Sequence, residues 1–219
     1  MSSRERILAA LRANKSPFAS VPPRPASYLP VTQIQGTADD LLARFTAELE
    51  RLTGKVYRAS GPSAAIQQAL TLIGEDSSVL LWEDLPLPAL NEALAEHHVT
   101  GIVPQFQSNE RFAALQKFEP IRVGITGAEA GLATTGTLVL ATNPQQARLV
   151  SLLPPVHITL LPLDRLSANM ESWLAAAGRD TITRSSGVTF ITGPSRTSDI
   201  EMQTILGVHG PGEVHVIVF

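Results

Sequence analysis

Apolar and polar positions along this chain fall into short segments that switch between helical and strand periods. Ile7, Leu8 and Leu11 share one helical face, and Ser2 stands three residues before Glu5 as in a capping box, which predicts a helix over 2–14. Residues 15–36 carry Pro17, Pro22, Pro23, Pro25 and Pro30, so an extended connector is expected there. A helix this short is marginal alone, and its apolar face needs a surface to dock on, either the body of the chain or a partner subunit. From Thr37 the pattern predicts helices over 37–51, 62–73, 87–96 and 108–117, with Leu41, Leu42, Phe45 and Leu49 on the inner face of the first and Ser108 capping the last. Strands are expected over 55–59, 78–82, 99–104 and 121–126.

The second half alternates more tightly. It reads as a short helix over 128–133, strands over 136–141 and 157–161, and a helix over 168–176. A strand over 188–192 follows, then a helix beginning at Ser198 and a closing strand over 213–219. Strand–helix alternation at this spacing predicts an α/β fold, a doubly wound and mainly parallel sheet with helices on both faces. The expected organisation is an arm over 1–36, helix plus connector, and a single α/β domain over 37–219.

Composition narrows the chemistry. With 219 residues, 44% hydrophobic and 17% charged, the chain has enough apolar material for a packed core. It has 0 Cys, which excludes disulfides, thiolate-held zinc or iron–sulfur clusters and a cysteine nucleophile. A net charge of -3 and 5% aromatic residues give no footprint for nucleic acid. The most apolar stretch, 149–163, is interrupted by Pro154, Pro155 and Pro162 and is shorter than the roughly 20 residues a membrane span needs. The first residues lack the apolar core of a secretion signal, so a cytoplasmic location is expected.

Two strand-to-turn junctions carry the candidate chemistry, since open parallel sheets bind ligands beyond the carboxyl ends of their strands. The first holds Gly124, Gly127, Glu129 and Gly131, followed by Thr134, Thr135, Gly136 and Thr137. Its glycines permit close backbone approach, and its hydroxyls and amides suit a carboxylate or phosphate; the alternative is that the glycines only make tight turns. Glu129 is a candidate acid or base. The second junction holds Gly193, Ser195, Arg196, Thr197, Ser198 and Asp199, hydroxyls and a guanidinium suited to an anion, although Ser198 and Glu201 have the spacing of a plain capping box. His209, between Gly207 and Gly210, is a candidate proton carrier or a residue that merely bonds backbone. Arg148 leads into an apolar stretch and needs a carboxylate or a ligand anion as partner. His157 reads as a core or wall residue. There is no GxxxxGK[ST], GxGxxG or GxSxG sequence, and the histidines are not at a diagnostic metal-ligand spacing.

Taken in order, these segments resemble the LUD-domain family, in its lactate utilization protein C type. The carrying residues are Gly124-Ile125-Thr126-Gly127-Ala128-Glu129-Ala130 through Thr135-Gly136-Thr137, then Arg148 with Ser151 to Ile158, Gly193-Pro194-Ser195 with Ser198 to Glu201, and Gly207-Val208-His209-Gly210-Pro211. The resemblance implies the fold of the sugar-phosphate isomerase and CoA-transferase group. It also implies an accessory part in an iron–sulfur-dependent system that oxidises L-lactate to pyruvate. A chain without cysteine leaves the iron–sulfur clusters, and with them electron transfer, to its partner subunits. The family usually has a glutamate just before the Thr-Gly-Thr step, where this chain has Thr134, which weakens the case for an acyl-glutamate intermediate.

The first expectation is therefore a lactate-utilization subunit that binds a small anion at its glycine-rich loops. Gly127, Thr135, Gly136, Thr137, Arg148, Ser195, Arg196, Thr197, Ser198 and Asp199 would be the binding residues, with Glu129 and His209 as candidate catalytic groups. A stand-alone isomerase or acyl/CoA-transferase-like enzyme, and a plain assembly protein, stay open beside it. So do the redox cofactor and a homo-oligomeric state.

Overall fold

The computed structural model describes residues 2–13, 36–105, 111–198 and 204–219. The chain divides into two units, Met1–Val31 and Thr32–Phe219. In the first, α1 (Ser3–Ala13) is closed by the expected capping box: the Ser2 amide donates to Glu5 at 2.7 Å and the Glu5 amide donates to the Ser2 hydroxyl at 3.2 Å. The connector, apart from Gly36, lies outside the described residues.

In the second unit the elements run α2 (Ala38–Arg51), β1 (Lys55–Arg58), α3 (Pro62–Ile73), β2 (Ser78–Leu81), α4 (Leu90–Glu96), β3 (Thr100–Ile102), α5 (Arg111–Phe118) and β4 (Val123–Gly127). There follow β5 (Ala130–Leu132), β6 (Thr137–Thr142), β7 (Val156–Leu161), β8 (Leu166–Ser167), α6 (Met170–Trp173), α7 (Arg179–Arg184), β9 (Gly187–Ile191), β10 (Arg196–Ser198), β11 (Thr204–Leu206) and β12 (Glu213–Val218). Six strands form one parallel sheet in the order β1-β12-β7-β4-β2-β3. Helices flank it, with α2 against β1, α3 against β12 and α4 against β3. The central strands β4 and β7 are buried along their whole length, as parallel strands covered on both faces must be.

A second sheet, in the order β8-β5-β6-β9, was not expected from the sequence. The stretch read as a helix over 128–133 is instead a corner and β5. The Glu129 amide donates to the Val139 carbonyl at 2.8 Å, and Ala130, Gly131 and Leu132 pair antiparallel with Val139, Leu138 and Thr137. Too few residues are available there for helical propagation to compete with a strand partner seven residues on. The turn of this hairpin holds Gly136 at φ 62, where an added Cβ would lie 2.4 Å from the Leu49 amide nitrogen, so both backbone and packing require glycine.

The helix expected from Ser198 is also corrected. Ser198 ends β10, which pairs antiparallel with β11 from Arg196↔Leu206 to Ser198↔Thr204, while Asp199 and Glu201 lie outside the described residues. The helix placed over 168–176 starts at Met170, capped by Asn169, and continues through a π turn over Leu174–Gly178 into α7. Ser108 lies outside the described residues; the helix expected after it begins at Arg111.

The main core surrounds the parallel sheet, and a smaller one gathers Ala130, Leu132, Val139 and Trp173 beneath the second sheet. On one face of the parallel sheet, Gly124 and Thr126 of β4 stand beside His157 and Thr159 of β7. A 3-10 turn, Arg148–Ser151, lies over this face so closely that a Cβ on Gly124 would sit 2.0 Å from the Val150 carbonyl oxygen.

Candidate functional site

Where β4 ends, the chain leaves the parallel sheet for the second one, and that departure opens a cavity of about 200 Å³ beyond the carboxyl ends of β2 and β4. Such a position follows from strand direction: neighbouring parallel strands that lead to different places leave a crevice at their carboxyl edge. Its floor is buried and made of Trp82, Gly127, Ala128 and Gln146, and its mouth carries the exposed Asp84, Arg165 and Arg184. Glu129 sits between, its side chain 15% exposed.

Each wall is fixed by bonds of its own. The Trp82 indole N–H donates to the Ala147 carbonyl at 3.0 Å, and the Glu83 amide donates to the Gln145 carbonyl at 3.1 Å, which ties the β6–β7 connection to the end of β2. Within that connection the Asn143 side-chain amide donates to the Gln146 Oε1 at 2.8 Å. Arg184 of α7 pairs with the Glu129 carboxylate at 2.5 Å and reaches Asp180 at 3.5 Å. Arg165, in the turn Leu163–Arg165 just past β7, donates to the Ala128 carbonyl at 2.7 Å, and no carboxylate pairs with it among the described residues. The cavity therefore offers one guanidinium already neutralised, one with donors to spare, and a carboxylate held in place.

Of the residues singled out in the sequence, Gly127 and Glu129 line this cavity. The structure does not bring the others, among the described residues, to it. Thr135 and Thr137 share a hydrogen bond of 2.7 Å, and Thr137 meets Thr192 at 2.9 Å, a hydroxyl chain at the edge of the second sheet whose turn residue, Gly136, rests on α2. Ser195 donates its amide to the Pro211 carbonyl at 2.8 Å and accepts from the Gly207 amide at 3.0 Å. The Arg196 guanidinium donates to the Leu52 carbonyl and, at 3.1 Å, to the Thr53 hydroxyl, closing the end of α2. Thr197 and Ser198 are ladder positions of the β10–β11 hairpin. Asp199 lies outside the described residues. His209 is exposed on the loop before β12, and Arg148 lines a different groove.

Asp84, Asn143, Gln146, Arg165 and Arg184 had not been singled out as site residues. Arg165 was within reach of the rule applied to β4, since it stands just beyond the carboxyl end of β7, an equally apolar strand. Arg184 carries no comparable signal, because it reaches Glu129 across 55 residues of chain.

Two histidines on the central strands are structural. His157 is fully buried; its Nε2 meets the Thr126 hydroxyl at 2.8 Å and the Thr159 hydroxyl at 3.3 Å, while Nδ1 has no partner among the described residues. Burial, with a further push from His215, lowers its pKa to about 3. His215 lies between the Tyr57 hydroxyl at 3.1 Å and the Glu213 carboxylate at 3.2 Å, and burial lowers its pKa as well.

Comparison with known proteins gives a consistent picture. A family model described as the LUD domain matches residues 42–219. The chain is 41% identical over 99 residues to a lactate utilization protein C of Exiguobacterium, a match that spans 44% of this chain and 43% of that one. It is 26% identical over 226 residues to an uncharacterized protein of Neisseria meningitidis serogroup B, covering 99% of this chain and 93% of the other. Among solved structures it is similar to a DUF162 family protein from Deinococcus radiodurans, with a TM-score of 0.63 and 18% identity over 84% of this chain and 99% of that chain, a likeness of fold. No described helix is long and apolar enough to cross a membrane.

Proposed function

The chain belongs to the LUD-domain family, and on that premise we propose that it serves lactate utilization as an accessory subunit of a lactate-oxidising system, holding a small carboxylate in the cavity beyond β2 and β4. The observation that carries the reading is the pairing of roles at that cavity. Arg165 has N–H groups to spare for a ligand carboxylate, and Glu129, steadied by Arg184, stands in the same lining to accept a proton from a neighbouring hydroxyl. A volume of about 200 Å³ suits an acid of a few carbons rather than a nucleotide or a coenzyme A ester. With 0 Cys, the iron–sulfur clusters of such a system would sit on partner subunits.

Calorimetric titration of the full chain with L-lactate and with pyruvate tests the ligand. Binding is expected for at least one of them, with Arg165→Gln weakening it tenfold or more and Arg148→Gln leaving it unchanged. No binding of either, or equal binding by Arg165→Gln, would overturn the assignment of the cavity. Affinity capture from lactate-grown cells tests the partnership separately, and the expected result is co-purification of iron–sulfur subunits.

A further inference from the structure

On the other side of the β6–β7 connection lies a second groove, of about 470 Å³, which shares no lining residue with the cavity that holds Glu129. Asn143 and Gln146 of that connection face the first site, while Thr142 and Ala147 line the second. One wall of the groove is apolar, made by Leu115 of α5 with Leu149 and Leu152, and Leu152 is left 39% exposed. Arg148 stands among these leucines, and its guanidinium has neither a hydrogen bond nor an ion pair among the described residues.

The opposite rim is made by Thr142, Ser186 and Gly187. Ser186 directs both its amide, at 2.8 Å, and its hydroxyl, at 2.9 Å, to the carbonyl of Thr142. What the groove offers a guest is therefore one cation and a run of hydrocarbon, with Thr142 the further polar residue of its rim. The 3-10 turn that presents them is held from beneath. Val150 is fully buried against Gly124, the Ser151 hydroxyl donates to the Arg148 carbonyl at 3.0 Å, and the Leu152 and Leu153 amides donate to the Leu149 carbonyl at 3.1 and 2.9 Å. Arg148 and Leu152 thus project from a rigid base, which reduces the ordering cost of binding.

We propose that the Arg148 groove is a second ligand site, for a monocarboxylate with an apolar tail, the carboxylate on Arg148 and the tail along Leu115, Leu149 and Leu152. The chemistry selects against two neighbouring classes. A short hydroxy acid would leave the leucines wet, and a polyanion would bring charges that only one guanidinium could meet. The ligand class differs from that of the first cavity, so the two assignments stand or fall separately.

Octanoate, at concentrations below micelle formation, is the probe, with octanol and acetate as controls, titrated into the full chain by calorimetry. Octanoate is expected to bind at least tenfold more tightly than either control, and affinity should rise from butanoate through hexanoate to octanoate. Arg148→Gln and Leu152→Asp should each lower octanoate affinity tenfold or more with unchanged thermal melts, both side chains being exposed, and Arg165→Gln should leave it unchanged. Octanol binding as tightly as octanoate, no binding of octanoate, equal affinity in both groove variants, or loss of octanoate binding in Arg165→Gln would each overturn the proposal.

Discussion

Single residues in this fold do electrostatic work that their sequence neighbourhood does not announce. His157 stands in an apolar strand, and its folded-state pKa of about 3 means that it is neutral in the core wherever the protein is folded near neutrality. Unfolded, the same ring titrates near its ordinary value of 6.5. Between those two values the unfolded chain binds the extra proton, so stability rises with pH across that window and is fully present above it. One proton gives a slope of up to about 1.4 kcal/mol per pH unit. His215, also lowered, acts in the same direction. The lowered carboxyls of Asp40 and Glu213 lose their contribution only as pH falls through the acid range beneath the window's upper part. Urea unfolding measured between pH 5 and 6.5 should therefore show stability falling with acidity in the wild type and a shallower fall in His157→Gln. Parallel slopes would mean that His157 is not the group responsible.

Elements were legible where their own period was long enough to speak. The amphipathic face of α2 was read from Leu41, Leu42, Phe45 and Leu49, of which the last three are buried and Leu41 is half-buried, and the parallel sheet was read from apolar strands at regular spacing. The second sheet was not: β6 and β9 read as strands, but nothing local shows that they leave the main sheet to pair with each other, across residues as far apart as Val139 and Phe190. Arg196 shows the same limit. It read as an anion-binding residue beside a helix start, whereas the fold places it at the end of a distant helix. There Thr53, a β-branched residue held at φ 67, donates its amide to the Glu50 carbonyl, and Gly54 donates to Leu49, closing α2. Arg196 braces that strained position through the Leu52 carbonyl and the Thr53 hydroxyl. Arg196→Ala is expected to cost about 1 kcal/mol, with lactate binding unaffected. In a Thr53→Gly background the cost should shrink, since glycine adopts the left-handed conformation without a brace. A double-mutant cycle by chemical denaturation measures the difference, and strict additivity would refute the bracing role.

At the scale of the molecule, one connection separates two cavities of opposite character, and whether it also couples them is decided by its stiffness. The stretch from Thr142 to Ala147 is pinned to the end of β2 at two points, by the Glu83 amide on the Gln145 carbonyl and by the Trp82 indole on the Ala147 carbonyl, and is cross-braced by Asn143 and Gln146. Its far end passes into the turn seated on Gly124. Sequence reading grouped Gly127, Glu129 and Arg148 in one anion site, whereas the structure sets Gly127 and Glu129 in one cavity and Arg148 in another, because nothing local shows on which side of a connection a side chain emerges. Coupling between two ligands requires an element with two arrangements that each ligand favours differently. A connection bonded at both ends and across its middle supplies no second arrangement, so the sites should act independently. Lactate affinity measured with and without saturating octanoate is expected to change by less than twofold, and octanoate affinity with and without lactate likewise, since linkage makes the two factors equal. A change of fivefold or more in either titration would show that the connection moves, and Asn143→Ala, which removes its internal brace, would then be expected to enlarge the effect.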